Sequence, residues 1–175
     1  MNQDIAISNV NASDLTELVA LVNSAYRGES SRKGWTTEAE LLEGVRTDYN
    51  SLLAQISEPG QTILKAVDHS GKIIACVSLQ EKSEKMYLGM LTVEPTIQAN
   101  GIGKILLTAA EAFAIDRNIY CLEMTVISVR AELIAYYQRR GYQLTGEKRA
   151  FPTDPKFGIR KQELEFIVLE KHLPK

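Results

Sequence analysis

The sequence predicts an α+β domain, with helices on both faces of a mixed, mostly antiparallel sheet that holds one parallel β-α-β pair. Three observations lead there. An early run of strand-like segments is broken by short polar turns, and a later stretch alternates strand, helix, strand and helix. No apolar run approaches the roughly 20 residues of a membrane span. A chain of 175 residues that is 45% hydrophobic is long enough for a real core, which fits one domain over 1–175.

Residues 5–8 read as a short strand. Ser13 or Asp14 can cap the helix that follows, in which Leu15, Leu18, Val19 and Val22 recur at helical spacing, and Gly28 ends it. After the polar stretch GESSRKGW, Thr37 and Glu40 have the spacing of a capping box, so a second helix is expected there with Leu41, Leu42 and Val45 inward. Segments 62–67 and 72–79 flank the turn Asp68-His69-Ser70-Gly71, which predicts an antiparallel hairpin, and a strand over 86–93 continues the meander.

A helix over 103–117, with Ile105, Leu106, Ala109 and Phe113 on one face, leads to a strand over 119–127. A strand, crossover helix and strand of this kind normally connect right-handed and parallel, which places the parallel pair late in the sheet. The next helix, over 130–140, carries Leu133, Ile134 and Tyr137 on its inner face. Gly141 supplies the left-handed residue after it, and 164–169 is the last strand.

Twenty basic against twenty-two acidic side chains give a net charge of −2, without the basic excess of a protein that neutralises many phosphates, so no nucleic acid is expected as partner. The start MNQDIAISNV has neither a basic leader nor a long apolar stretch, which predicts a cytoplasmic protein with no membrane partner. Cys76 and Cys121 sit in apolar runs without a CxxC partner and are expected to be buried, reduced thiols. His69 and His172 offer no metal-ligand spacing, so no metal is expected.

The stretch VEPTIQANGIGKILL, residues 93–107, ends a strand at a proline, passes two glycines and enters a helix. Glycine permits positive φ and close backbone approach, and the free N–H groups of a helix start form a site for an anion. A plain glycine turn is the alternative. A phosphate loop of the GxxxxGK[ST] type fails on spacing, because Lys104 is followed by Ile105, and a dinucleotide fingerprint fails because Leu106 stands where its third glycine belongs.

The longer arrangement resembles the acetyl-CoA-binding motif of the GNAT N-acetyltransferases, Q/R-x-x-G-x-G/A, in Gln98-Ala99-Asn100-Gly101-Ile102-Gly103 after Val93-Glu94-Pro95. Tyr137-Gln-Arg-Arg-Gly141-Tyr142 resembles the same family's Tyr-x-x-x-Gly-aromatic signature. The resemblance runs from the first strand to the last and is sharpest over 86–145. It implies a GNAT-like acyl-CoA N-acyltransferase fold and an enzyme that moves an acetyl group from acetyl-CoA, a co-substrate, to a primary amine. The pyrophosphate would rest on backbone N–H groups from Gln98 to Lys104. The pantetheine arm would lie along Leu91-Thr92-Val93, where a bulge exposes an N–H for the oxyanion.

By the same resemblance Tyr137 would give the leaving thiolate its proton, the alternative being a core aromatic on the face it shares with Leu133 and Ile134. Tyr136 points about 100° away and fits less. Some relatives carry a glutamate eleven residues before the loop glutamine, but here that residue is Tyr87. Glu123 and Glu94 are the nearest acids by sequence, Glu123 is the candidate base, and a water chain is the alternative. The family's frequent Asn-x-x-Ala reads Arg130-x-x-Leu133 here, so Arg130 would reach a cofactor phosphate or the acceptor, or cap its helix.

The acceptor pocket of such proteins is commonly lined by the loop between the first two helices. Arg32 and Lys33 there could bind a carboxylate beside Trp35, or belong to a solvated loop, and the later loop over 151–157 could cover the same cleft. A small-molecule amine is favoured as acceptor over a protein, and a homodimer stays open. A non-catalytic acyl-CoA-binding or sensing domain is the second reading, since it would keep the glycine loop without the chemistry.

Overall fold

The structure, a computed structural model, describes residues 4–27, 37–98, 100–152 and 158–175. Its strands are β1 (Ala6–Asn9), β2 (Leu42–Glu43), β3 (Gln61–Val67), β4 (Ile73–Lys82), β5 (Lys85–Val93), β6 (Cys121–Ile127), β7 (Gln143–Ala150), β8 (Ile159–Arg160) and β9 (Glu165–His172). Among the described residues four α-helices join them: α1 (Leu15–Tyr26), α2 (Tyr49–Ser57), α3 (Ile102–Ile115) and α4 (Ala131–Arg139). Seven strands form one sheet in the order β1-β3-β4-β5-β6-β9-β7, while β2 and β8 pair separately. All neighbours in the large sheet are antiparallel except β5 and β6, which are parallel, as the β-α-β pattern predicts.

Local chemistry accounts for the boundaries. Asn11 accepts the Ser13 N–H at 3.0 Å and gives its own N–H to Asp14 at 2.9 Å, a reciprocal cap that starts the turn leading into α1. The β3–β4 hairpin closes where Gly71, at φ +83°, gives its N–H to Asp68 O at 3.0 Å. Helices α1 and α2 bury Leu15, Leu18, Val22 and Leu52 against Ile63, Ile73 and Cys76 on one face of the sheet. On the other face α3 and α4 pack against Leu88, Leu122, Met124 and Val126. Both cysteines are buried free thiols.

Two expectations are corrected, and one strand carried no signal. Thr37-Glu38-Ala39-Glu40 begins no helix: Thr37 Oγ1 takes the Ala39 N–H at 3.1 Å, the chain turns, and β2 follows. Long-range contacts override the local cap, because Glu38 is drawn to Arg27 and Leu42 is buried beside Ile127 and Leu164, while Val45 stays 47% exposed. The second helix starts at Asp48, whose Oδ1 accepts the Ser51 N–H at 2.7 Å. In α3 the inner face is Ile102, Leu106, Leu107, Ala110 and Ala114, and Ile105 faces outward at 42% exposure. Strand β7 carries no apolar signal, since it is a charged edge strand paired only to β9.

Candidate active site

The parallel pairing of β5 and β6 consists of two registers, Met86 with Leu122 and Tyr87 with Glu123, after which the strands diverge. On its other edge β5 loses register with β4 between Cys76↔Thr92 and Ser78↔Gly89, so Met90 and Leu91 together oppose Val77. That is a β-bulge, and Met90 takes φ +51°, uncommon for a residue with a side chain. A bulge lifts a peptide out of the ladder and aims it aside. Thr92 Oγ1, wholly buried, donates to Met90 O at 2.9 Å and fixes the distorted turn of chain.

Two cavities open on the diverging strands. The smaller, about 120 Å³, runs from the bulge to the start of α3, past Val93, Gln98, Gly101, Gly103, Tyr136 and Arg140. Gln98 Nε2 donates to Val93 O at 3.0 Å and Asn100 Nδ2 to Ile97 O at 3.0 Å, so both side chains shape the loop. Gly101 has φ +79°, and a Cβ there would meet nothing within 4 Å, which means that conformation and not crowding requires glycine. The first ladder bond of α3 is Ile105 N–H to Gly101 O at 3.1 Å, which leaves the amides of Ile102, Gly103 and Lys104 without a helical carbonyl. A Cβ on Gly103 would come within 2.9 Å of the Tyr136 hydroxyl, so a side chain there would displace the tip of that ring.

The larger cavity, about 470 Å³, lies on the far side of the bulge and is walled by residues of α1, β5, β6 and the 38–46 segment. The two cavities share Tyr26, Leu91, Leu133 and Tyr137, which makes these the junction between them. Tyr137 is 6% exposed and stacks edge-on with Tyr136 at 5.4 Å and Tyr142 at 5.8 Å between ring centroids. Burial pushes its phenol well above the usual value, with the neighbouring tyrosines adding to the effect, so it stays protonated at neutral pH. Tyr26 donates its hydroxyl to Leu91 O, and burial raises that phenol to about 12.

The sequence candidates divide between these places. Leu91, Val93, Gln98, Gly101, Ile102 and Gly103 line the smaller cavity. The Thr92 side chain points into the protein, Asn100 and Lys104 stand exposed beside the loop, and Ala99 lies outside the described residues, as do Arg32, Lys33 and Trp35. Arg130 faces the larger cavity and Glu38, with its Nη1 3.8 Å from Glu38 Oε2, on the opposite side of the bulge from the loop where a cofactor phosphate would sit.

Glu123 lines neither cavity. Its carboxylate is held by Arg149 at 3.1 Å and Lys85 at 3.3 Å. Burial alone would raise this carboxyl, but the Arg149 and Lys85 hydrogen bonds outweigh it and hold the group below 4.5. A carboxylate tied to two cations and turned from both cavities is poorly placed to take a proton from a substrate. The wall position belongs instead to Tyr87, whose hydroxyl meets Thr125 Oγ1 at 2.6 Å.

Tyr26, Arg46 and Arg140 carried no local signal as site residues, since each enters from a separate element. Arg140 stands inside the Tyr-x-x-x-Gly stretch. Its Nε is buried with no partner among the described residues, and its guanidinium lies 5.2 Å from the Tyr136 ring centroid, at the wall of the smaller cavity. Away from both cavities, Cys121, Glu170 and His172 bring donor atoms within 4.8 Å of one another because Cys121 and His172 are register partners across β6 and β9. Burial raises the Cys121 thiol and Lys85 pairs with Glu170, which keeps that cluster a protonated thiol beside a salt bridge.

Comparisons with known proteins bear on this geometry. The sequence matches the family model described as acetyltransferase (GNAT) family over residues 17–142. The fold is similar to the ribosomal-protein-S18-alanine N-acetyltransferase from Escherichia coli, at 16% identity and TM-score 0.73, over 98% of this chain and 95% of that one. It is similar to the ribosomal-protein-alanine N-acetyltransferase from Brucella melitensis, at 19% identity and TM-score 0.70, over 96% and 99%. A third solved structure, the PaiA N-acetyltransferase from Thermoplasma acidophilum in complex with coenzyme A, matches at 19% identity and TM-score 0.66, over 97% and 99%. No curated protein matches the chain in sequence. Among the described residues no helix is long and apolar enough to cross a membrane.

Proposed function

Because this chain belongs to the acetyltransferase (GNAT) family, we propose that it transfers an acetyl group from acetyl-CoA to the primary amine of a small molecule. The observation that carries this is the junction of two cavities at Leu91 and Tyr137. One cavity starts at a helix N-terminus suited to pyrophosphate and the other is large enough for a small acceptor. A thioester threaded along β5 would present its carbonyl at the bulge, between the two. A domain that only bound acyl-CoA would have no use for the second cavity.

The steps follow from the residues at the junction. The pyrophosphate sits on the amides of Ile102, Gly103 and Lys104, with Arg140 turned toward its charge. An amine with a pKa of about 10.4 is neutral in roughly one molecule in a thousand at pH 7, so its proton passes first to water in the open cavity. The nitrogen lone pair then forms the N–C bond, and the carbonyl oxygen takes the negative charge beside the Leu91 amide. Collapse breaks the C–S bond. Tyr137 gives its proton to the departing sulfur, whose basicity is raised by the same burial that keeps the phenol protonated, and the nitrogen, cationic since it formed the N–C bond, sheds its second proton through water to restore the phenol, so a neutral amide and the CoA thiol leave. Release of CoA thiol that depends on added amine tests the reaction.

Two variants separate roles at the edges of the site. Arg140→Ala is expected to weaken CoA binding about 10-fold or more in calorimetric titration, since hydrogen bonds between charged groups contribute about 1.5–3 kcal/mol, with the melting temperature of the free protein little changed. Equal affinity would remove Arg140 from the phosphate site. Glu123→Gln should leave kcat near the parent value, whereas loss of a general base costs about 10²–10⁴-fold. The depressed Glu123 carboxyl contributes stability that is complete above its ordinary value of 4.5 and is lost as pH falls through the lower folded value. Melting temperature should therefore fall less steeply with acidification in Glu123→Gln than in the parent.

A further inference from the structure

The described residues of the larger cavity bring more positive than negative charge to it. Among the described residues Arg27, Arg46 and Arg130 lie on its wall with a single carboxylate, Glu38. That carboxylate is committed: Arg27 Nε stands 3.1 Å from Oε1 and Arg130 Nη1 3.8 Å from Oε2, all three side chains being 10% exposed or less. Arg27 also donates to Val45 O at 3.2 Å, which closes it into the wall. One negative charge between two cations leaves Arg130 short of a full partner. Arg46 has no acidic group within ion-pair distance among the described residues.

The position of Arg46 is built rather than incidental. Asn23 Oδ1 accepts the backbone N–H groups of Arg46 at 2.7 Å and Thr47 at 3.1 Å, and Asn23 Nδ2 donates to Thr47 O at 3.0 Å. One side chain of α1 thus clamps the segment that carries Arg46. The guanidinium lies 5.8 Å from the centroid of the Tyr26 ring, the residue whose hydroxyl holds the Leu91 carbonyl. Tyr26, Arg46 and Arg130 all lie on the wall of the larger cavity. Among the described residues Arg46 faces the cavity without a carboxylate and Arg130 has only the Glu38 contact at 3.8 Å, and planar guanidinium donors match a carboxylate or phosphonate.

We propose that the acceptor carries an anionic group, a carboxylate or a phosphonate, a few bonds from its amine, and that Arg46 and Arg130 receive that group. This rests on the acetyl-transfer reading and names its substrate class: amino-acid-like small molecules rather than simple amines. Holding the anion there leaves the amine to reach across Tyr87 and Thr125 toward the bulge. Arg130, which takes the place of the asparagine found in many relatives, thereby serves the acceptor and not the cofactor.

The test measures CoA-thiol release from acetyl-CoA with matched acceptors: L-amino acids, ω-amino acids and aminoalkylphosphonates, each against its neutral amide or the amine lacking the acid. The best acceptors are expected to be anionic, with kcat/KM about 10–100-fold above their neutral partners, the range set by a charge-assisted hydrogen bond. Arg46→Gln should bring that ratio toward one, chiefly through KM for the anionic acceptor, while CoA affinity in calorimetric titration is unchanged. Because Arg46 lies outside the Arg27–Glu38–Arg130 cluster, this variant should fold even if Arg130→Gln does not. Neutral amines reacting as well as the acids in the parent would overturn the anion site and leave acetyl transfer standing, as would a ratio unchanged in Arg46→Gln. Absence of amine-dependent thiol release across every series, with CoA bound, would overturn acetyl transfer itself and the proposal with it.

Discussion

Tyr137→Phe is expected to lower kcat by about 10²–10⁴-fold while CoA affinity and melting temperature stay near the parent values. Phenylalanine keeps the ring that packs edge-on against Tyr136 and Tyr142 and nearly all of its volume. A residue of purely packing value would therefore tolerate the change. Removing the proton that the departing sulfur needs touches only the step in which the C–S bond breaks. An acyl donor with a more acidic thiol needs less help from an acid and should recover part of the lost rate. Parent-like kcat, measured where chemistry limits turnover, would return Tyr137 to the core.

Gly101→Val should weaken CoA binding by at least about 10-fold, the value of one charge-assisted hydrogen bond, and more if several amides move together. At φ +79° a side chain costs about 1–2 kcal/mol, and a branched one is worse, so the loop is expected to shift in a protein that remains folded. The open space over Gly101, where a Cβ would touch nothing within 4 Å, is also where the phosphates would lie. Asn tolerates the left-handed region better than other residues with side chains, so Gly101→Asn should fall between parent and Gly101→Val in affinity. A folded Gly101→Val protein that binds CoA like the parent would contradict the placement of the pyrophosphate.

What the sequence revealed and what it hid divide along the range of the interactions. The β3–β4 hairpin, the parallel pair and the helix before Gly141 were legible because their signals lie within a few residues. The capping box at Thr37 misled because a local cap competes with the pull of Arg27 on Glu38 and the burial of Leu42, which neighbouring residues do not report. Strand β7 was hidden because Glu147, Lys148 and Arg149 satisfy an edge strand without an apolar run, and its partner β9 begins at Glu165. At the site, the loop at Gly101 was visible as a motif. Tyr26, Arg46 and Arg140 were not, because three elements must fold before they surround one junction. Arg130 shows the limit of carrying over a family position: its place in the chain is that of the relatives' asparagine, yet its charge is drawn to Glu38 at the wall of the larger cavity.

Acetyl transfer joins the two cavities in one reaction in this proposal. Its most direct test is to incubate the protein with acetyl-CoA and a broad panel of primary amines, and to measure thiol release together with the mass of each amine. Release should require the amine, be matched mole for mole by a product heavier by one acetyl group, and fall sharply in Tyr137→Phe. Tight CoA binding with no amine raising thiol release above the rate of hydrolysis, and no acetylated product, would contradict it.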